Sequence, residues 1–305
     1  MTPAIEIENL TCRFGAVEAV RNLSLQVPQG SIYAFLGTNG AGKTTTIRTL
    51  MNLNAPSSGH AKVFGVASDH LSPADLGRIG YVSENQQIPE RLTVQQLVDY
   101  CRALYPTWDD AFCLRLQELL ALPAHRKISG FSRGMKMKAA LLVSLAYRPR
   151  LLVMDEPFSG LDPLVRDELI TALLELFDQA DWTVFLSSHD IDEVERLADW
   201  VGIVDRGQLC ISDSVENLRG RFRRIDAVSP NGTIDPGAVP QGALLPEVAG
   251  GSARWIVSRF AGDDALASLI GIRFPQGTAF TSTPLALREI FVAVTRHLRT
   301  ASSIV

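Results

Sequence analysis

A glycine-rich loop that ends in a lysine carries the clearest chemical signal in the sequence. Residues 37–44 read Gly-Thr-Asn-Gly-Ala-Gly-Lys-Thr and fit the pattern G-x-x-x-x-G-K-[ST]. Glycines let backbone N–H groups turn inward around phosphate groups, and a following helix adds a favourable potential. The spacing predicts that Lys43 bridges the β- and γ-phosphate oxygens of a nucleotide and that the Thr44 hydroxyl binds Mg²⁺. The candidate phosphate-binding residues are Gly37, Thr38, Asn39, Gly40, Ala41, Gly42, Lys43, Thr44 and Thr45.

Two carboxylates follow a strongly apolar segment later in the chain. Leu151–Met154 is predicted to be a buried strand, and Asp155 and Glu156 come directly after it. Ligands of open α/β sheets bind at the carboxyl ends of the strands. We therefore expect Asp155 to hold Mg²⁺ through water and Glu156 to polarise an attacking water molecule. The alternative interpretation is a strand followed by an acidic helix cap.

A histidine ends the next apolar strand, which is predicted over Thr183–Leu186. Ser187 and Ser188 follow that strand, and His189 therefore reaches the same edge of the sheet as the carboxylates. An imidazole at this edge can hydrogen-bond a γ-phosphate and orient the attacking water. The alternative is that His189 has a structural role only.

Ser132 precedes a predicted helix that continues to Tyr147, and serine is a favourable N-cap residue. Helix initiation alone is one interpretation. It is incomplete, because the segment Phe131–Met135 lies between the glycine-rich loop and the carboxylate strand. A serine hydroxyl and the N–H groups at a helix start are also suited to binding an anion.

Alternating strands and helices position these residues. Residues 4–36 have strand and turn signals that end in the buried run Ile32–Leu36, and a helix is predicted over Thr44–Met51. A helix over Pro163–Phe177 separates the two apolar strands, and this β-α-β rhythm indicates a parallel sheet covered by helices. The stretch 85–150 is predicted to be helical, with helices at Val94–Tyr105, Asp109–Leu122 and Ser132–Tyr147. A closing hairpin is predicted from Val201–Asp205 and Gln208–Ile211.

The composition of the chain changes near residue 216. Residues 226–252 are rich in Gly and Pro, and they precede a short strand, a helix, another strand and a final helix. Apolar residues recur in the final helix at spacings of three and four, which favours a packed domain over a disordered tail. These residues are Leu287, Ile290, Phe291, Val294 and Leu298. Residues 216–305 are therefore predicted to form a small appended α/β domain.

Composition excludes several other classes of protein. The net charge of −4 gives no global basic field to attract nucleic acid, so we expect no nucleic-acid partner. The four cysteines are far apart and form no C-x-x-C pair, which argues against a disulfide framework or a zinc site. No apolar run approaches the ~20 residues that a membrane span requires. A protein of this kind that serves a membrane would act from outside the lipid.

Five chemical segments in a fixed order resemble an ATP-binding cassette, the ATPase of ABC transporters. The segments are Gly37–Thr45, Ser132–Met135, Leu151–Glu156, Ser159–Asp162 and Ser187–His189. The resemblance covers about residues 4–215. It implies an α/β P-loop NTPase fold with a RecA-like core, an antiparallel β subdomain and a helical subdomain at about 85–150. We expect residues 1–215 to form the cassette and residues 216–305 to form the accessory domain.

The resemblance also implies how the site is completed. In this family two cassettes pack head to tail and enclose two ATP molecules. Ser132 and Gly134 of one subunit would contact the γ-phosphate that Lys43 of the other subunit holds. Asp162 would lie at the dimer seam, and Phe14 matches the aromatic residue that stacks on adenine. The implied ligands are ATP and Mg²⁺, and the second cassette is either an identical chain or a paralogue.

The sequence departs from the family pattern at two places. The signature usually reads Leu-Ser-Gly-Gly-Gln, whereas Arg133 and Met135 replace its third and fifth residues here. Glu84 occupies a position where the family normally has glutamine. A carboxylate there could bind Mg²⁺ more strongly than an amide, but without the metal it would repel a γ-phosphate. We hypothesise that Glu84 is a metal ligand and a link to the membrane partner.

The sequence of the signature, Glu84 and the C-terminal residues 287–295 resemble ATPases of ABC-2-type exporters. The expected function is ATP hydrolysis that drives separate membrane-spanning permease subunits from the cytoplasmic face of the membrane. Three alternatives remain open: an importer ATPase, a soluble ABC ATPase that acts on ribosomes or DNA, and a regulatory subunit switched by nucleotide. The transported substrate cannot be read from this chain.

Overall fold

The computed structural model describes residues 2–177 and 182–301. The chain divides into two compact units, residues 1–212 and residues 213–305. The strands are β1 (Ile5–Phe14), β2 (Val17–Val27), β3 (Ile32–Leu36), β4 (Ser58–Val63), β5 (Val66–Ala67), β6 (Ile79–Ser83), β7 (Leu151–Asp155), β8 (Thr183–Ser188), β9 (Trp200–Asp205), β10 (Gln208–Ser214), β11 (Arg223–Val228), β12 (Leu244–Ala249), β13 (Ser252–Val257) and β14 (Ala279–Pro284). The helices are α1 (Lys43–Leu50), α2 (Pro73–Leu76), α3 (Val94–Arg102), α4 (Asp110–Leu119), α5 (Arg133–Leu145), α6 (Pro163–Phe177), α7 (Ile191–Leu197), α8 (Val215–Arg221), α9 (Asp263–Arg273) and α10 (Leu287–Ala301).

A six-stranded sheet in the order β10-β9-β3-β8-β7-β6 forms the centre of the first unit. β3 pairs in parallel with β8 and β9, and β7 pairs in parallel with β6 and β8. β3, β7 and β8 are buried along almost their whole length, as expected for strands covered on both faces. In register, Leu36 lies beside Ser188 and Asp155 lies beside Ser187. The residues that follow these three strands therefore start from one edge of the sheet.

A second, antiparallel sheet of the first unit has the order β2-β1-β4-β5. Along β1, buried Ile5 and Ile7 alternate with less buried glutamates, so the apolar face of this sheet joins the core of the unit. Within that core the ring of Phe185 lies 5.7 Å from the ring of Tyr33 and 5.6 Å from that of Phe35. The two sheets confirm the predicted α/β fold with an antiparallel β subdomain.

Three capped helices make up the helical stretch between β6 and β7. The hydroxyl of Thr93 accepts from the backbone N–H of Gln96, whose side chain accepts from Thr93 N–H, and this capping box starts α3. Asp109 and Ser132 cap α4 and α5 by accepting from the backbone N–H groups three residues further on. Ser132 is therefore the N-cap that the sequence predicts, whereas Asp109 is an N-cap and not the first residue of its helix as predicted.

These helices end two or three residues earlier than predicted, at Arg102, Leu119 and Leu145. Ala121 (φ +51°) and Arg148 (φ +56°), which follow α4 and α5, have left-handed backbone conformations. A left-handed residue stops the helical hydrogen-bond pattern, and neither alanine nor arginine signals that conformation in a sequence.

The second unit is a four-stranded antiparallel sheet in the order β12-β13-β11-β14, together with α8, α9 and α10. Its core contains Ile225, Trp255 and Phe274, and the last two rings stack with centroids 5.4 Å apart. β11 and β12 are not predicted from the sequence. Charged residues make up half of β11 and Pro246 interrupts β12, so both strands lack the apolar signal of β13. None of the helices in the described parts of the chain combines the length and apolar character that a membrane crossing requires.

Candidate functional site

The glycine-rich loop runs from the end of β3 into α1, as its pattern predicts. Gly40 (φ +80°) and Gly42 (φ +101°) have left-handed conformations that only glycine adopts readily. A Cβ atom at Gly42 would lie 2.5 Å from the carbonyl oxygen of Ala19, so this position also has no room for a side chain. The loop therefore passes close to β2 and exposes the N-terminal end of α1 on the other side.

Lys43 is the first residue of α1 and is only 5% exposed. Its ammonium group donates to the carbonyl oxygen of Gly37 at 2.6 Å and to that of Thr38 at 3.2 Å. The same nitrogen lies 3.0 Å from Oε1 of Glu156, so the loop lysine meets the carboxylate that follows β7. A buried cation held inside a glycine loop can neutralise a phosphate group that approaches the loop.

Asp155 ends β7 and interacts with two hydroxyl groups. Its Oδ1 atom accepts from Thr44 Oγ1 at 3.1 Å and from Ser187 Oγ at 2.7 Å. Burial raises the pKa of Asp155, while the hydrogen bonds from Ser187 and Thr44 act in the opposite direction. Carboxylate and hydroxyl oxygens are hard ligands of the kind that Mg²⁺ prefers, so the pair formed by Thr44 and Asp155 fits this metal.

Glu156 is buried and lies between two potential cations. Its Oε2 atom is 2.7 Å from Nδ1 of His189, and its backbone N–H donates to Ser187 Oγ at 2.9 Å. Its Oε1 atom has no hydrogen-bond partner in the described parts of the chain, although Lys43 Nζ lies 3.0 Å away. The distance between Lys43 Nζ and Glu156 Oε1 is that of an ion pair, but the two groups are not oriented for a hydrogen bond. Oε1 is therefore a buried acceptor whose nearest described cation is Lys43, and it has lone pairs that no hydrogen bond in the described residues occupies.

A cavity of about 660 Å³ opens between the loop, β2 and the ends of β7 and β8. It is large enough for a nucleotide-sized ligand. Its lining residues are Val17, Glu18, Ala19, Arg21, Asn39, Gly40, Gly42, Lys43, Thr44, Thr45, Glu84, Glu156, Ser159, His189 and Arg206. The structure thus brings most of the predicted phosphate-binding residues together with Glu84, Glu156 and His189.

The loop residues Gly37, Thr38 and Ala41 and the strand residue Asp155 are not among the lining residues of this cavity. Four predicted site residues from other segments do not line it either: Phe14, Ser132, Gly134 and Asp162. Phe14 ends β1 and is 52% exposed, and its strand partner Val17 does line the cavity. Ser132 caps α5, and Asp162 accepts from the backbone N–H of Leu164 at 3.0 Å. The structure therefore places Phe14 near the mouth of the cavity and the three other residues away from its wall.

Glu84 lies beside the metal-binding candidates. Its backbone N–H donates to the carbonyl oxygen of Asp155 at 2.8 Å, as the parallel pairing of β6 with β7 requires. Its carboxylate accepts from the guanidinium group of Arg133 at 2.8 Å. The two departures from the family pattern thus contact each other.

Sequence reasoning missed the roles of Ser187, Ser159 and Arg206. Ser187 is fully buried and connects both carboxylates, and a polar residue at the end of an otherwise apolar strand was an available signal. Ser159 and Arg206 line the cavity. Arg206 had no such signal, because only the packing of the β9–β10 turn against the loop brings it to the cavity.

The fold and the site define a nucleotide-binding P-loop ATPase. A family profile described as ABC transporter matches residues 20–159, and a shorter match to a profile described as AAA domain, putative AbiEii toxin, covers residues 125–195. A solved ATP-binding subunit of an ABC transporter is similar at 26% identity with a TM-score of 0.64, over 71% of this chain and 92% of that one. A dimeric ATP-binding cassette in a post-hydrolysis state, bound to ADP and Pi, shares the fold at 20% identity and a TM-score of 0.61, over 69% of this chain and 98% of that one.

Curated relatives place the chain in a family. The bacitracin transport ATP-binding protein BcrA of Bacillus licheniformis is 34% identical over 226 residues, which are 73% of this chain and 74% of BcrA. The lantibiotic transport ATP-binding protein SrtF of Streptococcus pyogenes is 31% identical over 72% of this chain and 95% of its own length. The osmoprotectant import ATP-binding protein OsmV of Salmonella typhimurium is 32% identical over 70% of this chain and 59% of OsmV. The chain belongs to the family of ABC transporter ATP-binding subunits, and it binds and hydrolyses ATP.

Proposed function

We propose that this ATPase drives export through separate membrane-spanning permease subunits and works from the cytoplasmic face of the membrane. The observation that carries the proposal is the meeting of Lys43, Asp155, Glu156 and His189 at one edge of the central sheet, around a nucleotide-sized cavity. Residues 1–215 would form the cassette, and residues 216–305 would form an accessory domain.

Each residue of the site has a distinct role in the proposal. The backbone of the loop and the ammonium group of Lys43 hold the β- and γ-phosphates of ATP. Thr44 and Asp155 hold Mg²⁺, with Glu84 as a further candidate ligand. The bound metal would neutralise charge on the phosphate oxygens. Phe14, at the end of β1, would stack on adenine.

The geometry around Glu156 supports its role as general base. His189 Nδ1 fixes Oε2, while Oε1 is left without a hydrogen bond. As water attacks the γ-phosphorus, Oε1 accepts the proton of that water, and the bond from the γ-phosphorus to the bridging oxygen breaks to give ADP and phosphate. The ammonium group of Lys43 lies 3.0 Å from the same Oε1 atom.

A second cassette completes the proposed site. Ser132, Gly134 and Asp162 do not line the cavity of their own chain, which fits the head-to-tail pairing in which they serve the other subunit. The similar dimeric cassette supports such a pair. Closure on ATP and reopening after hydrolysis would drive the permease between inward- and outward-facing states.

A peptide antibiotic is the substrate class that two of the relatives favour, and export is the direction that the resemblance to ABC-2-type ATPases implies. BcrA and SrtF carry the names of bacitracin and lantibiotic transport. Import is the second candidate function, because OsmV is named as an import ATPase and has a similar level of identity.

The test is transport by the chain co-expressed with its permease in inverted membrane vesicles. In such vesicles the cytoplasmic face is outside, so an exporter driven by added MgATP accumulates labelled bacitracin or a lantibiotic in the lumen. We expect Lys43→Ala and Glu156→Gln each to lower ATP hydrolysis and accumulation by about a hundredfold or more.

Circular dichroism of both variants controls for loss of fold. Full hydrolysis by Glu156→Gln would refute its role as base. ATP-driven release from preloaded inverted vesicles, with no accumulation, would identify an importer.

A further inference from the structure

The two departures of this sequence from the family pattern form an ion pair. Nη2 of Arg133 donates to Oε1 of Glu84 at 2.8 Å, across 49 positions of the chain. The two side chains are 46% and 34% exposed, so water screens the pair only in part. Neither residue is explained by the fold alone, because glutamine and glycine are usual at these positions in the family.

Both ends of this ion pair are attached to functional segments. The backbone N–H of Glu84 donates to Asp155, and the Glu84 side chain lines the nucleotide cavity. Arg133 is the first residue of α5, next to the capping Ser132. Its guanidinium group also lies over Gly160, where a Cβ atom would be 2.7 Å from Nη1, so Gly160 leaves room for the arginine.

A second ion pair runs parallel to the first. Lys136, three residues after Arg133, pairs with Glu90, and the two pairs connect the segment after β6 to the first turns of α5. Two cations near a helix N-terminus are unfavourable for the helix dipole. Arg133 therefore does not stabilise α5, and its favourable interaction is the ion pair with Glu84. Glu84 lines both the nucleotide cavity and a neighbouring groove, and Arg133 lines that groove as well. Glu90 and Lys136 line the groove but not the cavity, so only the first ion pair has a member in the cavity wall.

We propose that Arg133 is a positioning residue for Glu84. By pairing with the Glu84 carboxylate, Arg133 makes a negative charge tolerable in the wall of a site that binds phosphates. An unpaired carboxylate there would repel the γ-phosphate before metal binds. Arg133 neutralises that charge and holds the carboxylate at the wall of the cavity. The inference rests on the proposed function, in which the cavity binds the phosphates of ATP.

The experiment measures equilibrium binding of a fluorescent ATP analogue to the full-length protein, at low salt, in EDTA and then in Mg²⁺. In EDTA we expect Arg133→Gln to weaken binding about three-fold, the size typical of a half-exposed ion pair. In the Glu84→Gln background the same Arg133→Gln change should have no effect, since no carboxylate is left to neutralise. The loss should shrink in Mg²⁺ and at high salt.

Lys136→Gln is the matched control, because it removes the parallel ion pair and the same unit of charge from α5. It should leave ATP binding unchanged within the error of the measurement. An equal loss for Lys136→Gln would overturn the proposal in favour of a general field effect. A loss for Arg133→Gln that persists in the Glu84→Gln background would overturn it in favour of a direct contact between Arg133 and phosphate.

Arg133→Lys keeps the charge and serves if Arg133→Gln unfolds. In EDTA the affinity of Arg133→Lys for ATP should lie between that of the wild type and that expected for Arg133→Gln. A loss of more than about three-fold in Arg133→Lys would contradict a role based on charge. Lys43→Ala separates this inference from the proposed function. If Lys43→Ala loses ATP binding while Arg133 and Glu84 act independently, only the inference fails. If Lys43→Ala binds normally, the proposed function fails.

Discussion

Asp155 and Glu156 are neighbours in the chain but have different surroundings. Two hydroxyl groups donate to Asp155, while Glu156 lies between Lys43 and His189. The left-handed conformation of Glu156 (φ +50°) redirects its side chain relative to the strand that carries Asp155. In the proposed function, Asp155 would therefore serve as a metal ligand and Glu156 as the proton acceptor.

The raised pKa of Asp155 predicts that this residue destabilises the metal-free protein at neutral pH. For an acid whose folded-state pKa lies above its unfolded value, stability is greatest below the unfolded pKa and decreases as pH rises through the folded one. Asp155→Asn removes the charge and keeps an acceptor for Ser187. We expect this variant to be more stable than the wild type by about 1 kcal/mol in EDTA at pH 7.

Thermal unfolding of Asp155→Asn and wild type, measured from pH 4 to pH 8, checks this prediction. The difference should disappear towards pH 4, because protonated Asp155 is uncharged as well. Glu118→Gln, at an exposed position of α4, is a matched control that should show little change. A lower stability of Asp155→Asn at pH 7 would contradict the argument.

At the scale of elements, the turn between β9 and β10 is fitted against the glycine-rich loop. Gly207 donates to the carbonyl oxygen of Ala41 at 3.0 Å and accepts from Arg21 N–H at 2.8 Å. Arg206 and Gly207 both have left-handed conformations, with φ +49° and φ +81°. Asparagine followed by glycine suits such a turn better than arginine followed by glycine, so Arg206 is not optimal for the turn.

Arg206 lines the nucleotide cavity, which explains an arginine in a strained position. We expect Arg206→Asn to raise the free energy of unfolding by about 0.5 kcal/mol, because asparagine tolerates the left-handed conformation. The same change should weaken ATP binding several-fold, since a cation near the phosphates is lost. Thermal unfolding and equilibrium ATP binding measure the two effects. Arg206→Lys keeps the charge and should keep most of the binding, and unchanged binding by Arg206→Asn would exclude a role in the site.

At the scale of the whole molecule, each unit has a core of its own. Trp255 is fully buried in the core of the second unit and stacks on Phe274, whereas the nucleotide cavity lies entirely in the first unit. We expect Trp255→Ala to destabilise the second unit by about 3–5 kcal/mol. Scanning calorimetry should show one unfolding transition moved to lower temperature. ATP binding should stay within about two-fold of the wild type, because changes at distant sites with no shared partners act independently. Trp108→Ala, in the first unit, is the comparison that should leave the second unit unchanged.

The sequence by itself determined the family and the frame of the first unit, and it predicted the residues of the site. Lys43, Asp155, Glu156 and His189 could be assigned because each follows an apolar strand, and parallel strands end at a common edge. The glycine pattern of the loop and the N-cap at Ser132 are local signals that a few adjacent residues carry. These features need no knowledge of distant contacts.

Only the tertiary structure decided which distant residues meet. The pairing of Glu84 with Arg133, the link from Ser187 to both carboxylates, and the approach of Arg206 to the cavity join residues from different elements. The strands β11 and β12 formed in spite of weak local signals, because the core around Trp255 supplies the burial. The spacing of apolar and capping residues along the chain determines the buried face and the ends of each helix or strand. Contacts between different elements depend instead on how all the helices and strands pack together.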